Sequence, residues 1–134
     1  MNIAARKLAT LERCVVRARE EREAAGDHFR SDHTRQDAAV LNVTRACESA
    51  IDLANMAIRR NHLGVPADAR ESFSLLERGG LVSPDQSARL QRMVGFRNIA
   101  VHQYQDLDLK IVESVIRDGL DDLLVFAEGI RTRL

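Results

Sequence analysis

Glycine and proline are scarce in this chain, seven and two among 134 residues. Between them run long stretches in which apolar side chains return every three or four positions, the period of one face of an α-helix. A chain punctuated so rarely, with no alternating pattern for strands, can bury its apolar faces only by packing helix on helix. The length is one domain's worth, residues 1–134, enough for a single core and too short for two.

The stripes define five elements. Ile3, Leu8, Leu11, Val15 and Ala18 predict a first helix ending near Gly26. The polar segment "DHFRSDHTRQD" reads as a solvated linker, with His28 and His33 beside Asp27 and Asp32 as a remote metal possibility. From Asp37, the series Val40, Val43, Cys47, Ala50, Ile51, Ala54, Ile58 predicts a second helix of about 25 residues. Glu48 and Asp52 stack on it four apart, a pair that could do acid–base work, bind a divalent ion, or anchor an arginine from a neighbouring helix. Asp68 caps a short third helix through Leu76. "SPDQ", Ser83 to Gln86, is a capping box with proline at the first helical position, so a fourth helix starts at Pro84 and ends near Gln103. Asp106 or Asp108 caps the last helix, whose stripe runs from Leu109 to Ile130. The expected fold is an all-α, five-helix antiparallel bundle.

Composition excludes more than it identifies. Lys plus Arg and Asp plus Glu each total 20, so no global charge draws the chain to nucleic acid or to an anionic membrane. Cys14 and Cys47 lie at core positions and read as small apolar residues, not as a disulfide or metal pair. No apolar run approaches the roughly 20 residues of a spanning helix, and a cytoplasmic location is expected, with no membrane partner.

Against this background "GFRNIAVHQY", Gly95 to Tyr104, stands out at the end of the fourth helix. Asn98 and His102 are one helical turn apart, Arg97 and Tyr104 two turns apart, and arginine is long enough to reach toward the imidazole. All four could border one cleft. They could equally be a capping histidine and a solvated arginine.

"RNIAVHQY" resembles the Arg-x4-His-x-Tyr motif of the HepT-like toxins, a branch of the HEPN superfamily of helical ribonucleases. The resemblance extends along "QDAAVLNVTRACESAIDLANMAI", "ESFSLLERGGLVS" and "LQRMVGFRNIAVHQY", which correspond to the family's second, third and motif-bearing fourth helices. It implies a homodimeric toxin that cleaves RNA without a metal or other cofactor. It further implies a partner, an MntA-like nucleotidyltransferase antitoxin that consumes ATP and transfers AMP to the motif tyrosine. Carried over, Arg97 and His102 are catalytic, Asn98 and Tyr104 support catalysis or hold substrate, and Tyr104 accepts AMP.

The chemistry suits these residue types. Metal-free cleavage uses the substrate's 2′-hydroxyl as nucleophile, histidine moves protons near neutrality, and arginine stabilises the phosphorane. One histidine cannot be base and acid at once, so two His102 copies across a dimer would divide the roles. Two alternatives remain at this stage: a non-catalytic helical partner of a nucleotidyltransferase, and a dimeric scaffold with a structural polar cluster.

Overall fold

The computed structural model describes residues 2–134, and the described residues contain helices and turns but no strand. Helix α1, Ile3–Ala25, and α2, His33–Arg60, form a long antiparallel hairpin. Helix α3, Ala69–Arg78, and α4, Pro84–His102, form a second. A final rod comprises α5, Leu109–Ser114, a π-helical turn, Val115–Gly119, and α6, Leu120–Ile130. These five rods are the expected all-α bundle.

The ends follow from local chemistry. The Asn2 side chain accepts from the Ala5 amide, Asp68 from that of Glu71, and Asp108 from that of Lys110. Ser83 and Gln86 complete the reciprocal capping box, which satisfies two backbone donors at the start of the motif helix.

One core joins the rods. Leu11, Leu53, Leu76, Leu90 and Leu120 are fully buried, and Phe73 meets Phe126 edge-on at 5.5 Å and 81°, an arrangement worth about 0.5–1.5 kcal/mol beyond burial alone. Cys14 and Cys47 are buried free thiols, and burial pushes the Cys47 thiol up to about 12, so it stays protonated as a core residue.

The segment between the first two helices departs from expectation. Helix α2 begins at His33, four residues before Asp37, because Asp32 accepts from the Arg35 amide as its cap. The solvated linker is correspondingly short and carries a core residue: Phe29 is 1% exposed, with the Arg22 guanidinium 5.0 Å from its ring centroid. His28 closes a 3-10 turn, Gly26–His28, and His33 opens α2. Among the described residues no three His, Cys, Asp or Glu side chains are grouped to hold a metal ion.

Glu21, which sequence reading passed over, is buried in the hairpin. Its carboxylate takes Arg35 at 2.7 Å and Arg17 at 2.8 Å. The hydrogen bond from Arg35 leads the effects that hold its carboxyl below the ordinary value. Arg17 belongs to α1 like Glu21, whereas Arg35 crosses from α2, so the buried charge is satisfied on both oxygens and ties the two helices together.

Candidate active site on the fourth helix

Helix α4 buries Leu90, Met93, Val94 and Ala100. At 100° per residue, the centre of that stripe one turn beyond Met93 and Val94 is Arg97. The guanidinium thus occupies a position where a core residue is expected, and its side chain is only 18% exposed. Its partner comes from α2: Arg97 Nε lies 3.3 Å from Glu48 Oε1. Nε is buried yet forms no hydrogen bond, so the contact is an ion pair whose N–H does not point at the carboxylate. Among the described residues the guanidinium donates no hydrogen bond, leaving its outer nitrogens open to an anion.

Helix α4 stops at His102, which is exposed, and Gln103 leaves helical geometry at φ −141° and ψ 45°. The sequence reading that placed Tyr104 on a helical line with Arg97 is corrected here, because Tyr104 opens a separate 3-10 turn, Tyr104–Asp106. The turn carries its hydroxyl to α2, where it donates to Asp37 Oδ1. Burial, followed by the hydrogen bond and charge of Asp37, pushes the phenol up to about 12. Asn98 is half-buried on α4 between Arg97 and His102.

Helix α2 supplies the complementary face. Asp37, Glu48, Asp52 and Asn55 fall within about 60° of one another around its axis. Each is engaged by a different element: Tyr104 at Asp37, Arg97 at Glu48, Lys7 at Asp52 at 2.7 Å, and the Ser72 hydroxyl at Asn55 at 2.7 Å. Glu48 and Asp52 therefore act separately, each holding a cation from another helix. Asp37 and Glu48 are about 16 Å apart along the axis and meet Tyr104 and Arg97 in antiparallel order, which aligns the motif end of α4 with the stretch of α2 from Asp37 to Glu48.

This face is open, not a closed pocket. A groove of about 880 Å³ lies elsewhere on α4, among Arg92, Phe96, Ile99, Ile111 and Val115. None of Arg97, Asn98, His102 or Tyr104 lines it. Beside the polar pairs stand two exposed apolar side chains, Leu41 of α2 and Val101 of α4, at 49% and 51% exposure.

Sequence reading missed Asp37 as a site residue, having placed it at the start of the helix. Glu48 was visible as a possible arginine anchor, and an arginine at the centre of an apolar stripe was the signal that could have singled out the pair.

Residues 8–130 match the ribonuclease HepT-like family. The chain belongs to that family. The mRNA nuclease HepT of Shewanella oneidensis is 42% identical over 125 residues, 93% of each chain. A protein of Archaeoglobus fulgidus is 31% identical over 99 residues, 74% of each. Among solved structures, the tri-AMPylated Shewanella oneidensis HEPN toxin in complex with MNT antitoxin superposes with a TM-score of 0.91. It is 41% identical, with 98% of this chain and 99% of that one covered. A toxin–antitoxin complex with AMP-PNP gives a TM-score of 0.90 at 40% identity, covering 97% and 99%. The chain is accordingly a HepT-like endoribonuclease toxin with the HEPN fold, and the non-catalytic alternative is not favoured. No helix among the described residues is long and apolar enough to cross a membrane.

Proposed function

We propose that the chain cleaves messenger RNA without a metal or other cofactor, using Arg97 and His102 from two copies of the protein, and that an MntA-like nucleotidyltransferase silences it by transferring AMP from ATP to Tyr104. The observation that carries this is Arg97: a guanidinium held on the core stripe by Glu48, with no hydrogen bond of its own, one and a half turns before an exposed His102.

In this scheme a scissile phosphate docks on Arg97, which is restrained by its surroundings and gives up little freedom on binding. One His102 takes the proton of the 2′-hydroxyl as it attacks phosphorus. The 2′-oxygen to phosphorus bond forms, the 5′-oxygen bond breaks, and the second His102 protonates the departing oxygen. Arg97 offsets the charge that builds on the nonbridging oxygens. Asn98 contacts phosphate or orients the imidazole.

Two features support a homodimer. A single chain has the motif on an open face, where a two-fold partner would supply the opposite wall of a cleft. Leu41 and Val101 offer apolar surface beside the motif for such a contact. Similarity to a tri-AMPylated toxin bound to its antitoxin supports the partner and the modification.

The test is cleavage of messenger RNA by purified protein in excess EDTA, alone and as mixed dimers of wild-type and His102→Ala chains. Full activity with EDTA and strong impairment of the mixed dimer are expected. Dependence on a divalent ion, or a mixed dimer retaining the wild-type rate, would refute the two-histidine scheme.

A further inference from the structure

Tyr104 and Asp37 are 67 positions apart in the sequence, yet the tyrosine hydroxyl donates to the Asp37 carboxylate. Their meeting requires the helix to stop at His102 and the next residues to turn toward the first half of α2. Tyr104 is 42% exposed and Asp37 is exposed, so another enzyme can reach the pair. Asp37 has no ion-pair partner among the described residues, so its carboxylate is not occupied by a cation.

We propose that Asp37 is the general base for AMP transfer to Tyr104, supplied by the modified protein and not by the modifying enzyme. This rests on Tyr104 being the AMP acceptor. In the step, Tyr104 Oη attacks the α-phosphorus of ATP. The new Oη–phosphorus bond forms as the bond from that phosphorus to the β-phosphate bridging oxygen breaks, and pyrophosphate leaves with the electron pair. The phenol proton passes to Asp37 Oδ1 and then to water, with no change of oxidation state.

The chemistry makes such a base necessary. With a phenol pushed up to about 12, only on the order of one molecule in 100,000 carries a phenolate at neutral pH. Attack must therefore be accompanied by proton removal, and Asp37 already accepts that hydrogen. The partner enzyme then has to bring only the nucleotide and the geometry. Because the phenol is the side-chain hydrogen-bond partner of Asp37 among the described residues, Asp37 serves the first transfer. Any further AMP, whether on the AMP already attached or on another side chain, would go to an oxygen other than the phenol that Asp37 holds.

The experiment incubates the full chain with its cognate nucleotidyltransferase and ATP, and follows intact mass with time for wild type, Asp37→Asn and Asp37→Glu. The first addition should slow about 100-fold or more in Asp37→Asn, whereas any later additions keep the wild-type rate, so the modified fraction is as fully extended as in wild type. Asp37→Glu, which keeps the carboxylate, should recover to within about tenfold of wild type. A second readout needs no partner. The chain has one tyrosine and no tryptophan, so its near-ultraviolet phenolate absorbance reports Tyr104 alone. In Asp37→Asn the phenol should ionise at lower pH than in wild type while far-ultraviolet circular dichroism is still native.

A first addition at the wild-type or a faster rate in Asp37→Asn overturns the proposal, as do equal slowing of every addition, a Glu variant as slow as the Asn variant, or an unmoved phenol. Wild-type protein that gains no AMP, or gains it away from Tyr104, instead removes the acceptor assignment on which the proposal rests.

Discussion

Arg97 Nε lies 3.3 Å from Glu48 Oε1, buried and without a hydrogen bond. A guanidinium so placed stabilises the fold poorly: it is partly desolvated, and its partner is half exposed to water. Arg97→Leu should therefore leave the thermal transition unchanged or raise it, with a gain of up to about 2 kcal/mol, because an apolar side chain suits the centre of the α4 stripe. The same substitution should cut RNA cleavage by on the order of 100-fold or more. Melting followed by circular dichroism, paired with a cleavage assay, checks both. An active Arg97→Leu protein would show that the guanidinium is not used.

His102 is exposed at the end of α4 and makes no side-chain hydrogen bond among the described residues. His102→Ala should shift the melting temperature by no more than a few degrees while lowering cleavage about 100-fold or more. A folded His102→Ala protein that cleaves at the wild-type rate is incompatible with its role in proton transfer.

Glu21 gives an acid-side prediction. The hydrogen bond from Arg35 is the largest effect on its carboxyl; burial opposes it, and the charge of Arg35 with the hydrogen bond and charge of Arg17 keep the group below the ordinary 4.5. A group with a depressed folded value favours the native state above its unfolded value and loses that contribution as pH falls through the folded one. Stability should thus fall below about pH 4.5, and Glu21→Gln should be destabilised at neutral pH with a shallower loss in acid. Denaturant unfolding from pH 3 to pH 7 measures this; parallel curves for the two proteins would count against the buried ion pair.

Gly95 and Gly119 separate two kinds of crowding near α4. A methyl at Gly95 would approach Arg70 Nη2 at 2.7 Å, the far end of an exposed, flexible side chain. At Gly119, within the π-helical turn, it would meet Met93 Sδ at 2.6 Å and Val115 Cγ1 at 3.3 Å, and Met93 is buried. Gly95→Ala should be neutral or stabilising by up to about 1 kcal/mol from helix propensity, whereas Gly119→Ala should cost about 1–3 kcal/mol from overpacking. Equal melting shifts in the two variants would mean that the last rod packs less closely on α4.

Tyr104→Phe keeps the ring and removes both the acceptor oxygen and the bond to Asp37. It should stay folded and gain no AMP when incubated with nucleotidyltransferase and ATP, as intact mass would report. Modification at the wild-type rate would exclude Tyr104 as the acceptor.

The helices were legible in the sequence because their causes are local. Apolar spacing, the Ser83–Gln86 capping box and the scarcity of breakers act within a few residues of one another, and "RNIAVHQY" carries its chemistry in one short run. Even so, Asp32 rather than Asp37 caps α2, since several aspartates nearby offer the same local capping chemistry. What the tertiary structure alone decided is which groups meet. Glu48 rather than Asp52 holds Arg97, Asp37 receives Tyr104, and Glu21 is buried between two arginines, because contacts between residues far apart in the chain depend on the register of packed helices. No spacing within one helix encodes that register.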